Sequence, residues 1–293
     1  MLCPKDSGTL DHSERPGSGF ITRGVVRCSS CQSSYEILDG ILRILPAQQP
    51  VSTLVQDEQK ARDLQAERYD RHFTDWANAV ELSAILGENG LLAEKTVLDV
   101  ACGTGRITTH LLPVAGAVVA TDLSEQSLRI FAQKVNSGAK LGLIWSDTTQ
   151  LRLLPESFDL AVSTQLLEHI PTARKRIEFL DRVHNALKPD GVFLLSVYYY
   201  SWLRRILKKR QEGCHASGIF YHRFTIPELS KELSGLFQVR ISRPIQIDPR
   251  FLPDFILSTS WLARALEKSL ICDLIGHLLF VKACKVRPTP TGN

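Results

Sequence analysis

The stretch "VLDVACGTGRITTHLL" (residues 97–112) decides the fold, because an apolar β-branched run passes directly into a glycine loop and then into a helical pattern. Gly103 and Gly105 lie where that helix opens, so backbone N–H groups and the positive end of the helix should face a ligand. The dinucleotide fingerprint requires a third glycine three residues on, where this chain has Thr108. A pyrophosphate ligand is therefore disfavoured at this loop.

Beyond this stretch, apolar runs alternate with helical patterns over the rest of the chain. The clearest runs are "AVVATDL" (117–123), "LGLIWSD" (141–147), "FDLAVS" (158–163) and "GVFLLSVYY" (191–199). Such alternation predicts a doubly wound α/β sheet, mostly parallel, with ligands at the carboxyl ends of its strands. The last two runs, "FQVRIS" and "HLLFVKAC", have no clear helix that would force a parallel crossover, so an antiparallel edge is expected.

Three acidic residues mark consecutive strands of this predicted sheet. Asp99 lies inside the first strand, where a carboxylate would repel phosphate and attract a cation or an ammonium group. Asp122 ends the second strand and can accept hydrogen bonds from both ribose hydroxyls. Asp147 ends the third and can accept from the exocyclic amine of adenine. Ribose, adenine and a positively charged amino-acid portion together describe S-adenosylmethionine.

Residues 96 to 200 resemble the class I S-adenosylmethionine-dependent methyltransferases that act on small molecules. "VLDVACGTGRIT" is similar to the first motif of that family, "VVATDLS" to its ribose-binding motif, and "FDLAVSTQLLEHI" with "ALKPDGVFLLSV" to its fourth and fifth strands. The resemblance implies a doubly wound, seven-stranded Rossmann-like sheet. A departure lies after the adenine aspartate, where the family's "LPF" is replaced by Leu151, Arg152 and Leu153.

The same resemblance implies a set of donor-binding residues. Asp99 would hold the amino group or order its water, Gly103 and Gly105 would leave room for the methionine part, and Asp122 with Leu123 would border the ribose. Asp147 and Thr148 would border the adenine, and Gln165 would lie beside the donor. Tyr69, in "ERYDRHF", would belong to a helix that closes over the donor.

Residues 1–46 have the composition of a small β module. "YEILDGILRIL" (35–45) predicts a tight hairpin with a type I′ turn at Asp39-Gly40. Cys28 and Cys31 have the spacing of a zinc knuckle, and Cys3 and Asp6 repeat it with a carboxylate. The module resembles the zinc ribbon at the front of some methyltransferases. Zinc would take Cys3, Cys28 and Cys31 with Asp6 or His12, and the alternative is a metal-free hairpin with free thiols.

The chain is expected to divide into four parts. These are the module at residues 1–46, a linker with a donor-covering helix at 47–78, the methyltransferase domain at 79–287 and a disordered tail at 288–293. A polar run from Gln56 to Trp76 predicts the helix. The domain should carry a helical insertion on the acceptor side at about 198–275, where apolar residues near helical spacing from Leu252 to Leu270 suggest a cover and a hydrophobic acceptor.

Methyl transfer from a sulfonium is an in-line displacement, so alignment matters most and a base is needed only if the acceptor must lose a proton early. His169 and His222 are the candidate catalytic residues, with packing as the alternative for the first and the Thr225/Glu228 capping box for the second. Side chains that could line the acceptor pocket are Tyr198, Tyr199, His215, Tyr221 and Arg223.

The totals set limits on partners. A formal charge of +4 over 293 residues does not require nucleic acid or an anionic membrane. The start carries no apolar leader and no uncharged run is long enough to span a bilayer, so a cytoplasmic location is expected. The basic run "WLRRILKKR" (202–210) is either a solvated face or a surface for anionic lipid or RNA.

Three hypotheses follow for the whole chain. The first is an S-adenosylmethionine-dependent methyltransferase with a small and possibly hydrophobic acceptor. The second is an RNA base methyltransferase, for which a ribbon and a basic helix would be suitable. The third is a donor-binding scaffold without turnover, in which residues 1–46 bind a protein partner.

Overall fold

The fold is known from a computed structural model that describes residues 1–12, 21–44, 53–69, 75–87, 92–135, 140–247 and 269–286. The strands are β1 (Leu10–His12), β2 (Arg23–Cys28), β3 (Ser34–Leu38), β4 (Ile41–Arg43), β5 (Thr96–Val100), β6 (Ala117–Asp122), β7 (Leu141–Trp145), β8 (Phe158–Thr164), β9 (Leu187–Tyr198), β10 (Glu212–Cys214), β11 (Phe220–His222), β12 (Phe237–Ile247) and β13 (Gly276–Lys285).

The helices are α1 (Thr53–Tyr69), α2 (Asp75–Gly87), α3 (Thr108–Leu111), α4 (Glu125–Lys134), α5 (Ala173–Ala186), α6 (Trp202–Ile206), α7 (Ile226–Leu233) and α8 (Leu270–Ile275), with a 3₁₀ turn at Leu167–His169. The helix predicted from Gln56 to Trp76 is described as parts of two helices, with α1 ending at Tyr69 and α2 beginning at Asp75, and residues 70–74 lie outside the described residues. The predicted tail, 288–293, lies outside the described residues, as does most of the predicted cover from Leu252 onward.

The central sheet has the order β1-β2-β3-β4-β7-β6-β5-β8-β9-β13-β12. Its five middle strands, β7, β6, β5, β8 and β9, are parallel, while β13 runs antiparallel to both β9 and β12. The α/β fold class and the antiparallel edge are confirmed. The predicted count of seven strands is too low, because the N-terminal strands continue the same sheet and bring it to eleven.

The N-terminal module joins the sheet through β4, which pairs in parallel with β7 so that Ile41 lies beside Leu143. The hairpin before it is confirmed: Asp39 and Gly40 have φ of 54° and 78°, the left-handed values that a type I′ turn requires at both positions. Tyr35 is buried with Ile144 and Leu151 in one apolar cluster. The module is thus packed against the rest of the fold.

The sheet is apolar on both faces because helices cover both. Phe179 and Phe193 are buried in the cluster that α5 and α7 cover, and Leu128 and Phe131 are buried in the cluster that includes α3 and α4. This double cover leaves the carboxyl ends of the strands as the place where polar loops meet.

The predicted helical insertion at about 198–275 is a mixture of helices and strands. It contains α6, α7 and α8, but also the β10–β11 hairpin and the edge strand β12. Alternation in "FQVRIS" already indicated β12, whereas β10 and β11 are only three residues long and leave little pattern to detect.

Candidate active site

The glycine loop after β5 is held in left-handed backbone conformations. Ala101, Gly103 and Gly105 have φ of 63°, 56° and 79°. A Cβ on Gly105 would lie 2.1 Å from a ring carbon of Phe131, which is fully buried on α4. Glycine is therefore needed at 105 both for the turn and for the close approach of α4.

Asp99 lies buried beneath this loop. The Thr108 hydroxyl donates to its Oδ2, while Oδ1 has no hydrogen-bond partner among the described residues. Burial raises the pKa of Asp99 to about 7, against the hydrogen bond from Thr108. Thr108, which stands where a dinucleotide site has glycine, thus holds the carboxylate of Asp99.

Asp122 links the end of β6 to the glycine loop. Its Oδ2 accepts from the Gly103 N–H at 2.7 Å and its Oδ1 accepts from the Ser124 N–H at 2.8 Å. Burial raises its pKa, and these two backbone donors oppose the rise. Asp122 therefore fixes the shape of both loops as well as bordering the cavity that lies between them.

The third carboxylate, Asp147, orders the loop after β7. Its Oδ1 accepts from the N–H of Thr149 at 3.0 Å and from the hydroxyl of Thr149 at 2.7 Å. Further along this loop, the carbonyl of Arg152 accepts from the Leu2 N–H at 3.1 Å, and Leu151 is buried in the apolar cluster of the N-terminal module. Leu151 and Arg152, which replace the family's usual residues, thus anchor the N-terminal module to this loop.

One open cavity, with about 990 Å³ of atom-free space that includes open solvent, lies at the carboxyl ends of these strands. Predicted residues that line it are Gly103, Asp122, Leu123, Asp147, Thr148, Gln165 and His169. Asp99, Gly105 and His222 are not among the lining residues, and the side chain of Tyr69 lies outside the described part. Lining residues that the sequence interpretation missed include Val55, Glu58, Arg62 and Gln65, all from α1.

A second group of missed residues surrounds Glu81 of α2. Its buried carboxylate accepts from Arg106 Nη2 at 2.6 Å, from Gln165 Nε2 at 3.2 Å and from the Ser196 hydroxyl. Gln165 has a φ of 54°, a left-handed value at the end of β8. Glu81 holds this side chain beside the cavity, and its signal in the sequence was a single acidic residue within the apolar run "AVELSAIL".

His169 lines the cavity on the side where the sequence predicts the acceptor. Its Nδ1 lies 2.7 Å from the carbonyl of Phe220, so Nδ1 carries the proton and Nε2 is left as an acceptor. Burial lowers its pKa to about 3, which keeps the ring neutral at physiological pH. Its ring centroid lies 5.7 Å from that of Tyr198 and 5.9 Å from that of His215, so two of the predicted acceptor-side residues gather around it.

Glu168, the neighbour of His169, is a buried carboxyl that the sequence interpretation did not single out. Both of its side-chain oxygens lack a hydrogen-bond partner among the described residues. Burial raises its pKa to about 8, so the group is mostly protonated at neutral pH. Two neighbouring titratable side chains, Glu168 and His169, are therefore neutral here, while the cations Arg62 and Lys175 also line the cavity.

The structure places His222 in a structural network, against its predicted catalytic role. Its Nε2 lies 2.7 Å from Glu228 Oε1, and Glu228 closes a capping box with Thr225 at the start of α7. Arg223 stacks on the ring of Tyr221 at 4.3 Å. These residues support the wall of the acceptor side, whereas His222 itself does not reach the cavity.

The predicted metal ligands Cys3, Asp6, Cys28 and Cys31 come together in the N-terminal module, with their ligand atoms all within 4.8 Å of one another. The sulfurs of Cys3 and Cys31 lie 3.7 Å apart, close to the roughly 3.8 Å that a tetrahedral ion with about 2.3 Å zinc–sulfur bonds imposes. The Gly8 N–H, above all, lowers the pKa of Asp6 to about 2. Of the two alternatives for the fourth ligand, Asp6 is in place, and the side chain of His12 lies outside the described part.

Comparison with known proteins finds that part of this chain is similar to methyltransferases. Residues 97–191 match the family model described as "Methyltransferase domain". The ubiquinone biosynthesis O-methyltransferase of Idiomarina loihiensis is 30% identical over 135 residues, covering 44% of this chain and 54% of that protein. The corresponding enzyme of Haemophilus ducreyi is 32% identical over 114 residues, covering 37% and 47%.

Among solved structures, the chain is similar to the 1,6-didemethyltoxoflavin-N1-methyltransferase of Burkholderia thailandensis, crystallised with 1,6-didemethyltoxoflavin and S-adenosylhomocysteine. The TM-score is 0.57 at 21% identity, covering 88% of this chain and 98% of that one. The chain spans about half the length of the curated relatives it matches. The sequence likeness is thus centred on the segment that builds the loops around the cavity.

Proposed function

We propose that this chain, whose residues 97–191 match the methyltransferase domain model, transfers a methyl group from S-adenosylmethionine to a small, hydrophobic acceptor. The observation that carries this proposal is one cavity lined together by Gly103, Asp122 and Asp147. These residues follow or end three neighbouring parallel strands, where an open α/β sheet binds its ligands.

The polar groups around the cavity suit an adenosyl sulfonium. Asp122 has lone pairs left for ribose hydroxyls after accepting from Gly103 and Ser124, and Asp147 lies where an adenine amine can donate. Asp99 contributes an unpartnered oxygen beneath the loop for the ammonium group or its water. When bound, S-adenosylmethionine supplies a methyl group activated by the positive charge on sulfur.

The proposed acceptor side offers apolar contacts beside neutral groups. Leu166, Ile170 and Pro171 line the cavity there, and the neighbouring Glu168 and His169 are both neutral at physiological pH. Arg62 and Lys175 also line the cavity, so an acceptor with a polar or anionic end is compatible with it. His169 Nε2 can accept a hydrogen bond from an acceptor hydroxyl or amine and so align it, because a pKa of about 3 makes the ring too weak a base to remove the proton. The matched relatives from Idiomarina and Haemophilus are named for ubiquinone biosynthesis, which supports an acceptor with a large apolar part.

The test of donor binding is calorimetry with S-adenosylhomocysteine on the whole chain. Asp122→Ala removes both ribose acceptors and should cost about 1.5–3 kcal/mol, an affinity loss of roughly 10- to 150-fold. Asp159→Asn is the matched control, because Asp159 accepts from Lys188 and the Thr96 N–H, and Thr96 starts β5 at the opposite end of the sheet. Equal affinities in wild type and Asp122→Ala would contradict the proposal.

Turnover is tested separately with labelled S-adenosylmethionine. A labelled methyl group on lipid-soluble metabolites supports the proposal, and labelled RNA would favour an RNA base methyltransferase instead. Donor binding without any transfer would favour the scaffold, in which residues 1–46 bind a protein partner.

We also propose that Cys3, Asp6, Cys28 and Cys31 bind one zinc ion. The support is their convergence and the 3.7 Å separation of two sulfurs. Metal analysis should give about one zinc per chain, with loss in Cys28→Ser and none in the control Cys214→Ser, whose thiol is exposed on β10. Equal zinc content in the two variants would contradict this site.

A further inference from the structure

Helix α6 presents large apolar side chains to solvent. Trp202 and Ile206, one turn apart on the same face, are each 58% exposed, and Leu207 directly after the helix is 56% exposed. Burying side chains of this size contributes about 1.5–3 kcal/mol each in general, so leaving three neighbours in water is costly. A group of exposed apolar side chains of this kind indicates an interaction site.

The neighbouring helix α8 has two more exposed apolar side chains. Ile271 and Leu274, three residues apart, are 45% and 43% exposed. The helices pack against each other, and Arg204 Nη1 of α6 donates to the carbonyl of Gly276 directly after α8 at 2.9 Å. We call the five side chains together the α6–α8 surface: Trp202, Ile206, Leu207, Ile271 and Leu274.

Cations follow this surface along the chain. Arg205, Lys208, Lys209 and Arg210 are all exposed, and residues 202–210 contain no acidic residue. Asp273 on α8 and Glu212 on β10 are the exposed acidic groups nearest to it in sequence. The local excess is therefore positive, unlike the small net charge of the whole chain.

The α6–α8 surface is connected to the acceptor side of the cavity by direct contacts. Arg204 Nη2 lies 3.1 Å from His277 Nδ1, and the ring of His277 lies 5.3 Å from that of Tyr198. Tyr198 in turn contacts His169, which lines the cavity. The α6–α8 surface is therefore nearer to His169 in this series of contacts than to the adenine side of the cavity, where Asp147 lies.

We propose that the α6–α8 surface docks on an anionic lipid bilayer. Its apolar side chains enter the headgroup region while the four cations contact lipid phosphates. Helices that lie in the membrane interface combine these two kinds of contact. No helix among the described residues is long and apolar enough to cross a bilayer, so the contact is peripheral. Delivery of an apolar acceptor from the bilayer to His169 rests on the proposed function; docking itself does not.

The composition of the surface favours lipid over RNA. RNA would use the cations and could stack a base on Trp202, but the aliphatic side chains of Ile206, Leu207, Ile271 and Leu274 offer it neither hydrogen bonds nor aromatic stacking. A bilayer uses both classes of side chain at once. RNA binding by the same residues is therefore an outcome that would overturn the proposal.

The test is co-sedimentation of the full chain with vesicles of phosphatidylglycerol and phosphatidylcholine, against vesicles of phosphatidylcholine alone. Binding is expected only with the anionic lipid. Replacing Lys208, Lys209 and Arg210 by Gln should weaken it roughly 100-fold, since each cation near the surface contributes about fivefold. Trp202→Ser with Ile206→Ser should weaken it by about tenfold or more.

The matched control replaces Arg23, Arg27 and Lys140, which are exposed on or beside the N-terminal half of the sheet, by Gln. It removes the same charge and should leave vesicle binding unchanged. Equal loss in control and test variants, no binding to anionic vesicles, or binding to a single-stranded RNA in place of vesicles would each overturn the proposal. Calorimetry with S-adenosylhomocysteine on the same variants keeps this result separate from the proposed function, because donor binding should be unchanged in all of them.

Discussion

The proposed donor and acceptor sides of the cavity differ in how their acidic and histidine side chains are held. On the proposed donor side, Asp122 and Asp147 each accept from backbone N–H groups, so both carboxyl groups are held at fixed positions around the loops. On the proposed acceptor side, burial leaves His169 unprotonated and Glu168 mostly protonated, although the cations Arg62 and Lys175 also line the cavity. The difference shows that carboxyl groups beside one cavity can be controlled in two ways, by backbone N–H donors at Asp122 and Asp147 and by apolar burial at Glu168.

The largest expected effect comes from breaking the donor side at the glycine loop. Gly105→Ala forces a Cβ against Phe131 at a φ of 79°, which should cost about 2–5 kcal/mol of unfolding free energy from overpacking and left-handed strain. Binding of S-adenosylhomocysteine should be lost with it. Urea unfolding and calorimetry measure the two effects.

Gly218→Ala is the matched control for that variant. Its φ is 83°, but no atom lies within 4 Å of the added Cβ, so only the backbone cost of about 1–2 kcal/mol applies. If both variants lose the same free energy of unfolding and both retain donor binding, the close packing of Phe131 against the loop is not required for stability or for donor binding.

A smaller effect is expected from breaking the acceptor side at His169. His169→Gln should lower kcat by up to about 100-fold if Nε2 aligns the acceptor through a hydrogen bond, since a misplacement of about 1 Å can cost that much, while the affinity for S-adenosylhomocysteine is kept. Because the pKa of His169 is about 3, its titration should not appear in the kcat profile between about pH 6 and 8. His222→Gln is the control, and a loss of kcat there as large as in His169→Gln would contradict the assignment.

The smallest expected effect is a pH dependence of the free energy of unfolding that comes from Asp99. Burial raises the folded-state pKa of Asp99 to about 7 from an ordinary value near 4, so the folded chain holds this proton more tightly than the unfolded chain. Its contribution to stability is complete below about pH 4 and is lost as the pH rises through 7.

Without donor, the free energy of unfolding of the wild type should therefore fall relative to Asp99→Asn by about 1–2 kcal/mol between about pH 5.5 and 7.5. S-adenosylmethionine affinity of the wild type should rise over the same interval, as the carboxylate ionises and attracts the ammonium group. Parallel pH profiles in the two proteins would show that Asp99 is not the titrating group.

Local features of the fold could be predicted from the sequence because their causes lie within a few residues. The Asp39-Gly40 turn, the alternation of strands and helices and the Thr225/Glu228 capping box depend on neighbouring residues. The cavity-lining residues that end or follow strands could be predicted for the same reason. Asp122 and Asp147 stand where a strand pattern stops.

The remaining features depend on contacts between distant segments. The pairing of β4 with β7 is three residues long and joins positions about a hundred residues apart. The sequence of neither strand therefore predicts that the two will pair. Glu81 reaches Gln165 and Ser196 from a helix that carries no motif. For His222 the sequence left two alternatives open, because it does not tell whether an imidazole faces the cavity; the ring contacts Glu228 of the capping box and does not line the cavity.

The parallel pairing of β4 with β7 has a consequence for biosynthesis. Ile41 leaves the ribosome about a hundred residues before Leu143, its neighbour in the sheet. At translation rates of about 5–20 residues per second, β7 is synthesised roughly 5–20 seconds after β4 of the N-terminal module. During that interval the β4 edge has no β7 to pair with. The strand at the edge of the module is therefore synthesised before the strand that completes its pairing.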